Sequence, residues 1–323
     1  MTLILTRSDV LAMIALPEVT AAVRRAHADL ARGVAVSPAP PAMRLPGSES
    51  TFLAMVAASR PAGLAAVKLL ADIPGNRDRG LPPQRSTILA VATDDGSCEA
   101  LIDGGAVTRV RTAAASAVAT AELARPDSRV LGFIGAGALA HTHLEALRPI
   151  LDIDRVLVWS RTEATARTFA ESTGAEVANS AEDVVRAADV LCTLTPAKEP
   201  VVRGAWFPPG LHVNAVGAPP RPDHREIDTE GIRRARVVVD SRLTALHESG
   251  DVLIPLGEGA IEADHFGDEI GEVVVGAKPG RSAPEQITLY NSLGIGLQDL
   301  AAARLLIDAA RRRGIGTEIE MAS

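Results

Sequence analysis

A glycine turn at residues 135–140 constrains this chain more than any other feature. Gly135, Gly137 and Ala140 spell G-x-G-x-x-A, directly after the apolar run RVLGFI and directly before a helix-forming run that begins near Ala138. The spacing has a mechanical reason. The first Gly makes a tight turn, the second lets backbone approach a pyrophosphate, and the small third residue allows close helix–strand packing while the helix N-terminus faces the phosphates. Alone the string is weak, because glycine turns before helices are common. Its setting strengthens it. RVLVWSR, AEVA, DVLCTLT, HVNAVGA and RVVVDSR follow as short apolar runs, the first of them separated by helical segments near 163–172 and 182–187, which predicts a parallel sheet covered on both faces. With RVLGFI that makes six strands, the number expected of a doubly wound dinucleotide fold.

Ahead of this region the pattern differs. Residues 1–30 carry apolar positions at helical spacing and read as one or two short helices; residues 37–103 read as hairpin strands of a smaller, antiparallel sheet, with turns at Pro74–Asn76 and Asp94–Gly96. Thr108–Arg125 is rich in helix formers and stops at Pro126, a connector into the second domain. QDLAAARLLIDAARRRG, ending at Gly314, is a helix that returns to the first domain. The expected class is therefore α/β: a Rossmann doubly wound parallel sheet over 116–297, and a smaller α+β substrate-binding and dimerisation domain over 1–115 together with 298–323.

In NAD-binding relatives of such folds an acidic residue closes the second strand and bonds the ribose 2′-hydroxyl. This chain has Ser160, Arg161 and Thr162 there. A guanidinium with two hydroxyls suits a 2′-phosphate, so NADP(H) is favoured, with NAD(H) the alternative.

Composition narrows the partners. A net charge of −7, no long basic run and 2% aromatic residues argue against a nucleic-acid partner. No apolar stretch is long enough to suggest a membrane span, and the N-terminus lacks the basic start of a secretory signal, so a cytoplasmic location is expected. Cys98 and Cys192 stand far apart, which fits two reduced, buried thiols better than a disulfide or zinc site. His141 and His143 have the wrong spacing for a metal pair on a helix and read as helix-surface or cofactor-edge residues, and no metal site is expected. Asp223, His224 and Glu226 could be read as a site, but a Pro-rich stretch with charges reads more readily as a solvated turn. Ser292 has no nucleophile-elbow setting. Of the 33 basic residues only Lys68, Lys198 and Lys278 are lysines, so Lys68 inside the apolar run LAAVKLLA stands out. It is either a lysine whose burial lowers its pKa into the acid–base range or a snorkelling one at a strand edge.

The strings PPAMRLP, AAVKLLADIPGN, TRVRTAAASA, GFIGAGALA, NAVGA, PDHREID and SLGIGLQDLAAA occur in this order, and with them the chain resembles the ornithine cyclodeaminase/mu-crystallin family nearly end to end. Its most specific strings are T-x-x-R-T-A-A (Thr108 to Ala114) and N-A-V-G-A (Asn214 to Ala218). The resemblance implies a homodimer and a substrate site of three cations, which correspond to Arg44, Lys68 and Arg111. Arginine forks suit a carboxylate, and the lysine supplies a point charge or a proton. It also implies a dinucleotide site made of Thr112, Gly135, Gly137, Ala138, Leu139, Ala140, Ser160, Arg161, Thr162, Thr195, Asn214, Val216, Gly217, Ser292 and Gly294. Two departures matter. Cyclodeaminases of this family carry an aspartate after a Gly-Gly pair where this chain reads Gly217, Ala218, Pro219, Pro220, and Asn291 stands where many relatives carry lysine. Without that aspartate the implied chemistry is reduction of a small cyclic α-imino acid, of the pyrroline- or piperideine-2-carboxylate kind. The alternatives are an ornithine cyclodeaminase, an alanine or other amino-acid dehydrogenase, and a non-catalytic dinucleotide-binding protein.

Overall fold

A computed structural model describes residues 1–321. The chain divides into two compact units, Met1–Thr112 with the chain from Gly294 onward, and Ala113–Leu293.

The first unit is built on β1 (Thr2–Leu5), α1 (Arg7–Met13), α2 (Leu16–Ala31), β2 (Ala35–Val36), β3 (Ala42–Arg44), β4 (Thr51–Ser59), β5 (Leu64–Asp72), β6 (Gln84–Ala92) and β7 (Cys98–Asp103). Its sheet runs β16-β1-β7-β6-β5-β4-β2, with β3 also on β4; β16 is Thr317–Ile319. The pairs are antiparallel except β1 with β7, which run parallel. The first residues thus differ from the helical expectation. TLIL is a strand because it pairs at the sheet edge with residues nearly a hundred and more than three hundred positions away, which local periodicity does not register.

Alternation along β4 and β5 gives the sheet two faces. One carries Leu53, Met55, Lys68 and Leu70 and is buried. α11 (Gly296–Arg313) packs on β4 and β5, with α2 beside it. The opposite face carries Phe52, Val56, Val67 and Leu89, all half-buried, and Leu69, which is exposed.

α3 (Gly104–Leu123) leads into the second unit, where β8 (Val130–Ile134), α4 (Ala138–Leu147), β9 (Arg155–Trp159), α5 (Glu163–Thr173), β10 (Glu176–Val177), α6 (Ala181–Ala187), β11 (Val190–Thr193) and β12 (His212–Ala215) alternate. α7 (Thr229–Arg234), β13 (Arg236–Val239), α8 (Arg242–Glu248), α9 (Gly250–Gly257), β14 (Asp268–Glu269), α10 (Ile270–Val274) and β15 (Thr288–Asn291) complete it. Every pair in the order β10-β9-β8-β11-β12-β15-β13-β14 is parallel, so this is the expected doubly wound sheet with eight strands in place of six. The late strand β15 inserts between β12 and β13. Its four residues are wholly buried and too short to show a period. Chain order reverses between β8 and β11, the switch point at which such sheets bind ligands beyond their strand ends. Cys192 is buried, whereas Cys98 is half-buried, unlike the expectation; both are free.

Candidate active site

In the first unit three charged side chains meet in the interior. Lys68 lies mid-strand on β5, opposite Met55 and Ile88, and is 1% exposed. Its Nζ is 2.8 Å from Asp299 Oδ2 and donates a long hydrogen bond, 3.4 Å, to Thr108 Oγ1. Arg111, from α3, donates from Nε to Asp299 Oδ1 at 3.1 Å and from Nη1 to Gln298 Oε1 at 2.9 Å. Gln298 Nε2 in turn meets His27 Nε2 at 3.1 Å. Asp299 and Gln298 stand in the first turn of α11, where the helix dipole favours the carboxylate.

Burial, then the neighbouring Arg111 charge, push the Lys68 ammonium down to about 8 against the pull of Asp299. Burial likewise lowers His27 to about 4, so it is neutral at ordinary pH; as Gln298 gives Arg111 its oxygen and turns its amide N–H to His27, the proton of His27 belongs on Nδ1. One carboxylate against an ammonium and a guanidinium leaves the cluster one positive charge in excess. A buried excess charge is costly unless something compensates it, and a monoanionic carboxylate would. With Nε and one Nη1 donor engaged, the remaining Nη1 and Nη2 hydrogens still form a fork.

Arg44 is not brought to this cluster. It is exposed on β3, opposite Thr51, on the same sheet face as Lys68 but four residues further along β4 than Met55, about 13 Å. Gly294 lies against Arg111, since a Cβ there would fall 2.3 Å from Nη1. Thr112 back-bonds to Thr108 O at 2.7 Å.

In the second unit the glycine turn sits at the switch point. Gly135 follows β8 with φ +102°, and a Cβ on it would come 2.9 Å from Leu194 O. Gly137 caps α4 with no side-chain hydrogen bond and open space about it, Ala138 and Leu139 begin the helix, and Ala140 is buried beneath. Unspent N–H groups at the start of a ten-residue helix fit a dinucleotide pyrophosphate. Ser160, Arg161 and Thr162 follow β9, with Arg161 and Thr162 exposed. Thr195, Val216 and Gly217 lie just beyond β11 and β12. Gly217 has no room for a side chain: a Cβ would fall 2.1 Å from Thr195 N. Asn214 lies within β12, its amide donating to Thr120 Oγ1 at 2.9 Å and to Cys192 Sγ at 3.8 Å. Ser292 N donates to Ala215 O at 2.9 Å, and its hydroxyl is buried.

The model of the ornithine cyclodeaminase/mu-crystallin family matches residues 1–314. The chain belongs to that family. Within the ornithine cyclodeaminase/mu-crystallin family it is 41% identical over 244 residues to the ketimine reductase mu-crystallin of Mus musculus, 75% of each chain. The Thermococcus litoralis Δ1-pyrroline-2-carboxylate reductase, solved with NADH and L-proline, is 36% identical at TM-score 0.93 and covers 98% of this chain and 100% of its own. An archaeal alanine dehydrogenase dimer with bound NAD is 34% identical at TM-score 0.94, covering 99% of both.

Several residues of this family member escaped the sequence reading. Asp299 and Gln298 carried a faint signal, as polar residues among the apolar positions that open α11; His27 carried one too, on the apolar face of α2. Glu226 stood in the charged stretch with Asp223 and His224, and here the expected solvated turn is corrected: its carboxylate is fully buried. Charged and Pro-rich neighbours masked it. His143 is also buried, bonding Ser116 Oγ at 3.1 Å and Leu139 O at 2.8 Å, while His141 packs on Phe169. Among the described residues no cluster of metal-ligating side chains occurs, and no helix is long and apolar enough to cross a membrane.

Proposed function

We propose that the protein is an NAD(P)H-dependent reductase of a small cyclic α-imino acid, of the pyrroline- or piperideine-2-carboxylate kind. The observation that carries this is the buried Lys68–Asp299–Arg111 cluster with its one positive charge in excess. A reduced nicotinamide, when bound, supplies a hydride to the imine carbon. The chain's own residues do the rest. The Arg111 fork holds the substrate carboxylate, with Arg44 as a second, outer guanidinium. Lys68 Nζ, an ammonium at neutral pH, donates the proton that the imine nitrogen takes up as the carbon is reduced; Asp299 fixes the ammonium and guanidinium relative to each other. Holding reactants in place is worth up to about 7 to 11 kcal/mol of barrier.

The first unit is read as the substrate-binding and dimerisation domain and the second as the dinucleotide-binding domain. The Gly135–Ala140 turn, Ser160–Thr162, Thr195 and Val216–Gly217 are its proposed contacts, with Thr112, Asn214, Ser292 and Gly294 supporting them. Arg161 favours NADP(H), although the solved relatives above carry NADH and NAD. A second copy of the chain is the proposed cover for the apolar sheet face of Val56, Val67, Leu69 and Leu89, because a sheet apolar on both faces exposes one of them alone. Two free thiols favour a cytoplasmic location.

A second reading, an amino-acid dehydrogenase using a 2-oxo acid and ammonia, is favoured by the likeness to alanine dehydrogenase and uses the same cluster. The test is to give the purified protein NADPH or NADH with Δ1-pyrroline-2-carboxylate, with Δ1-piperideine-2-carboxylate, or with pyruvate and ammonia, and separately NAD with ornithine. Cofactor oxidation with a cyclic ketimine is expected. Oxidation only with pyruvate and ammonia supports the second reading, and ammonia released from ornithine overturns both.

A further inference from the structure

Glu226 is fully buried in the second unit, and every polar atom it has is engaged. Its Oε1 accepts from Thr195 N at 2.6 Å and Thr195 Oγ1 at 2.7 Å; its Oε2 accepts from Gly217 N at 2.6 Å and Thr193 Oγ1 at 2.8 Å. Its N–H donates to Asp251 Oδ1 at 3.0 Å, and its carbonyl accepts from Val201 N and Val202 N. Behind it the chain is tightly set, since a Cβ at Gly250 would fall 2.0 Å from His224 O.

We infer that Glu226 is the positioning residue of the dinucleotide site: one carboxylate ties the loop after β11 to the loop after β12 and so fixes the rim that a pyridine dinucleotide meets. This inference rests on the dinucleotide reading above. Three strand-end loops converge here. Gly135 touches Leu194 and Gly217 touches Thr195, so both contacts depend on where residues 194 and 195 sit. Glu226 sets that place from below. Without the shared carboxylate Thr195 N would turn outward or seek water and Gly217 N would keep only its 3.1 Å bond to Thr193 O, so the two loops would loosen. The four donors bind the ionised carboxylate most strongly, while burial raises its pKa; an uncharged amide in its place could accept from one loop only and would set an N–H against the donors of the other. Glu226 itself spends no atom on the ligand.

The test is Glu226→Gln, read by fluorescence titration with NADH at a temperature well below unfolding, beside the wild-type chain and Glu226→Asp. For Glu226→Gln the Kd and the KM for NADH should rise at least tenfold, while kcat at saturating NADH stays within about twofold. Glu226→Asp keeps the carboxyl group but loses reach, and should fall between. If Glu226→Gln does not fold, a threefold rise in Kd for Glu226→Asp is the result required. A lowered Tm with Kd unchanged, in whichever of the two variants folds, would mean a purely structural residue and overturn the inference. Failure of the wild-type chain to bind either NADH or NADPH would instead overturn the cofactor reading beneath it.

Discussion

Lys68 combines two demands that oppose each other, a buried site and a retained proton. Desolvation and Arg111 lower its pKa to about 8, and Asp299 keeps it from falling further. An acid at that value is charged at neutral pH yet gives its proton readily. The rate of imine reduction should therefore fall as pH rises above about 8, and Lys68→Met should lower kcat by a factor on the order of 10² or more while leaving NADPH affinity within about twofold. Loss of cofactor binding in that variant, or full activity, would remove its assigned role. The same shift has a thermodynamic side. The folded chain releases this proton more easily than the unfolded chain, so the Lys68 contribution to stability is unfavourable below about pH 8 and improves as pH rises from there toward 10.5. Arg111 is held on its Nε and Nη1 sides by Asp299 and Gln298. Arg111→Lys keeps the charge but loses the fork, and steady-state kinetics should show KM for the imine up about tenfold to a hundredfold, the worth of a hydrogen bond to a charged group.

At the scale of elements, helix starts and strand ends complete both sites around the mid-strand Lys68 and the mid-helix Arg111. α11 delivers Asp299 and Gln298 from its first turn, and β8 and α4 meet at a turn only glycine can make. Gly135 has φ +102° with Leu194 O close to where a Cβ would sit, so Gly135→Ala meets both a forbidden conformation and a steric contact. Its cost should be about 1 to 3 kcal/mol, seen as a lower midpoint in denaturant together with a loss of dinucleotide binding. A variant that binds NADH as tightly as the wild type would show that the turn does not serve the cofactor.

Two properties belong to the whole molecule. Its mostly antiparallel sheet has one face under α11 and another left apolar, so Val67→Glu should turn the proposed dimer into a monomer in size-exclusion chromatography, with little change in secondary structure. A wild-type chain that elutes as a monomer would sink this reading. Three histidines are buried and neutral: His27 and His143 are lowered to about 4 and His212 to about 3, each from 6.5. The unfolded chain takes up these protons first, so their stabilising contribution is full above pH 6.5 and lost as pH falls toward 4. Thermal unfolding followed across that range should show Tm dropping, and replacing His143 by Asn should flatten part of the drop.

Local pattern was enough for much of this. Alternating apolar strands and helices, the G-x-G-x-x-A turn and a lone lysine in an apolar run all act over a few residues, and those same residues form the doubly wound sheet, its switch-point turn and the buried Lys68. What sequence could not show was long in range. β1 is a strand because of partners near residues 100 and 318, β15 pairs between β12 and β13, and Asp299 finds Lys68 across more than two hundred residues. Glu226 looks in sequence like its charged neighbours, and only the folded chain brings four donors around its carboxylate. The chain's own pattern determined which segments become strands and helices and where a dinucleotide turn stands, because those follow from short-range sterics and periodicity. Tertiary structure alone decided which charges are buried together, because desolvation and pairing are properties of a place that distant segments build.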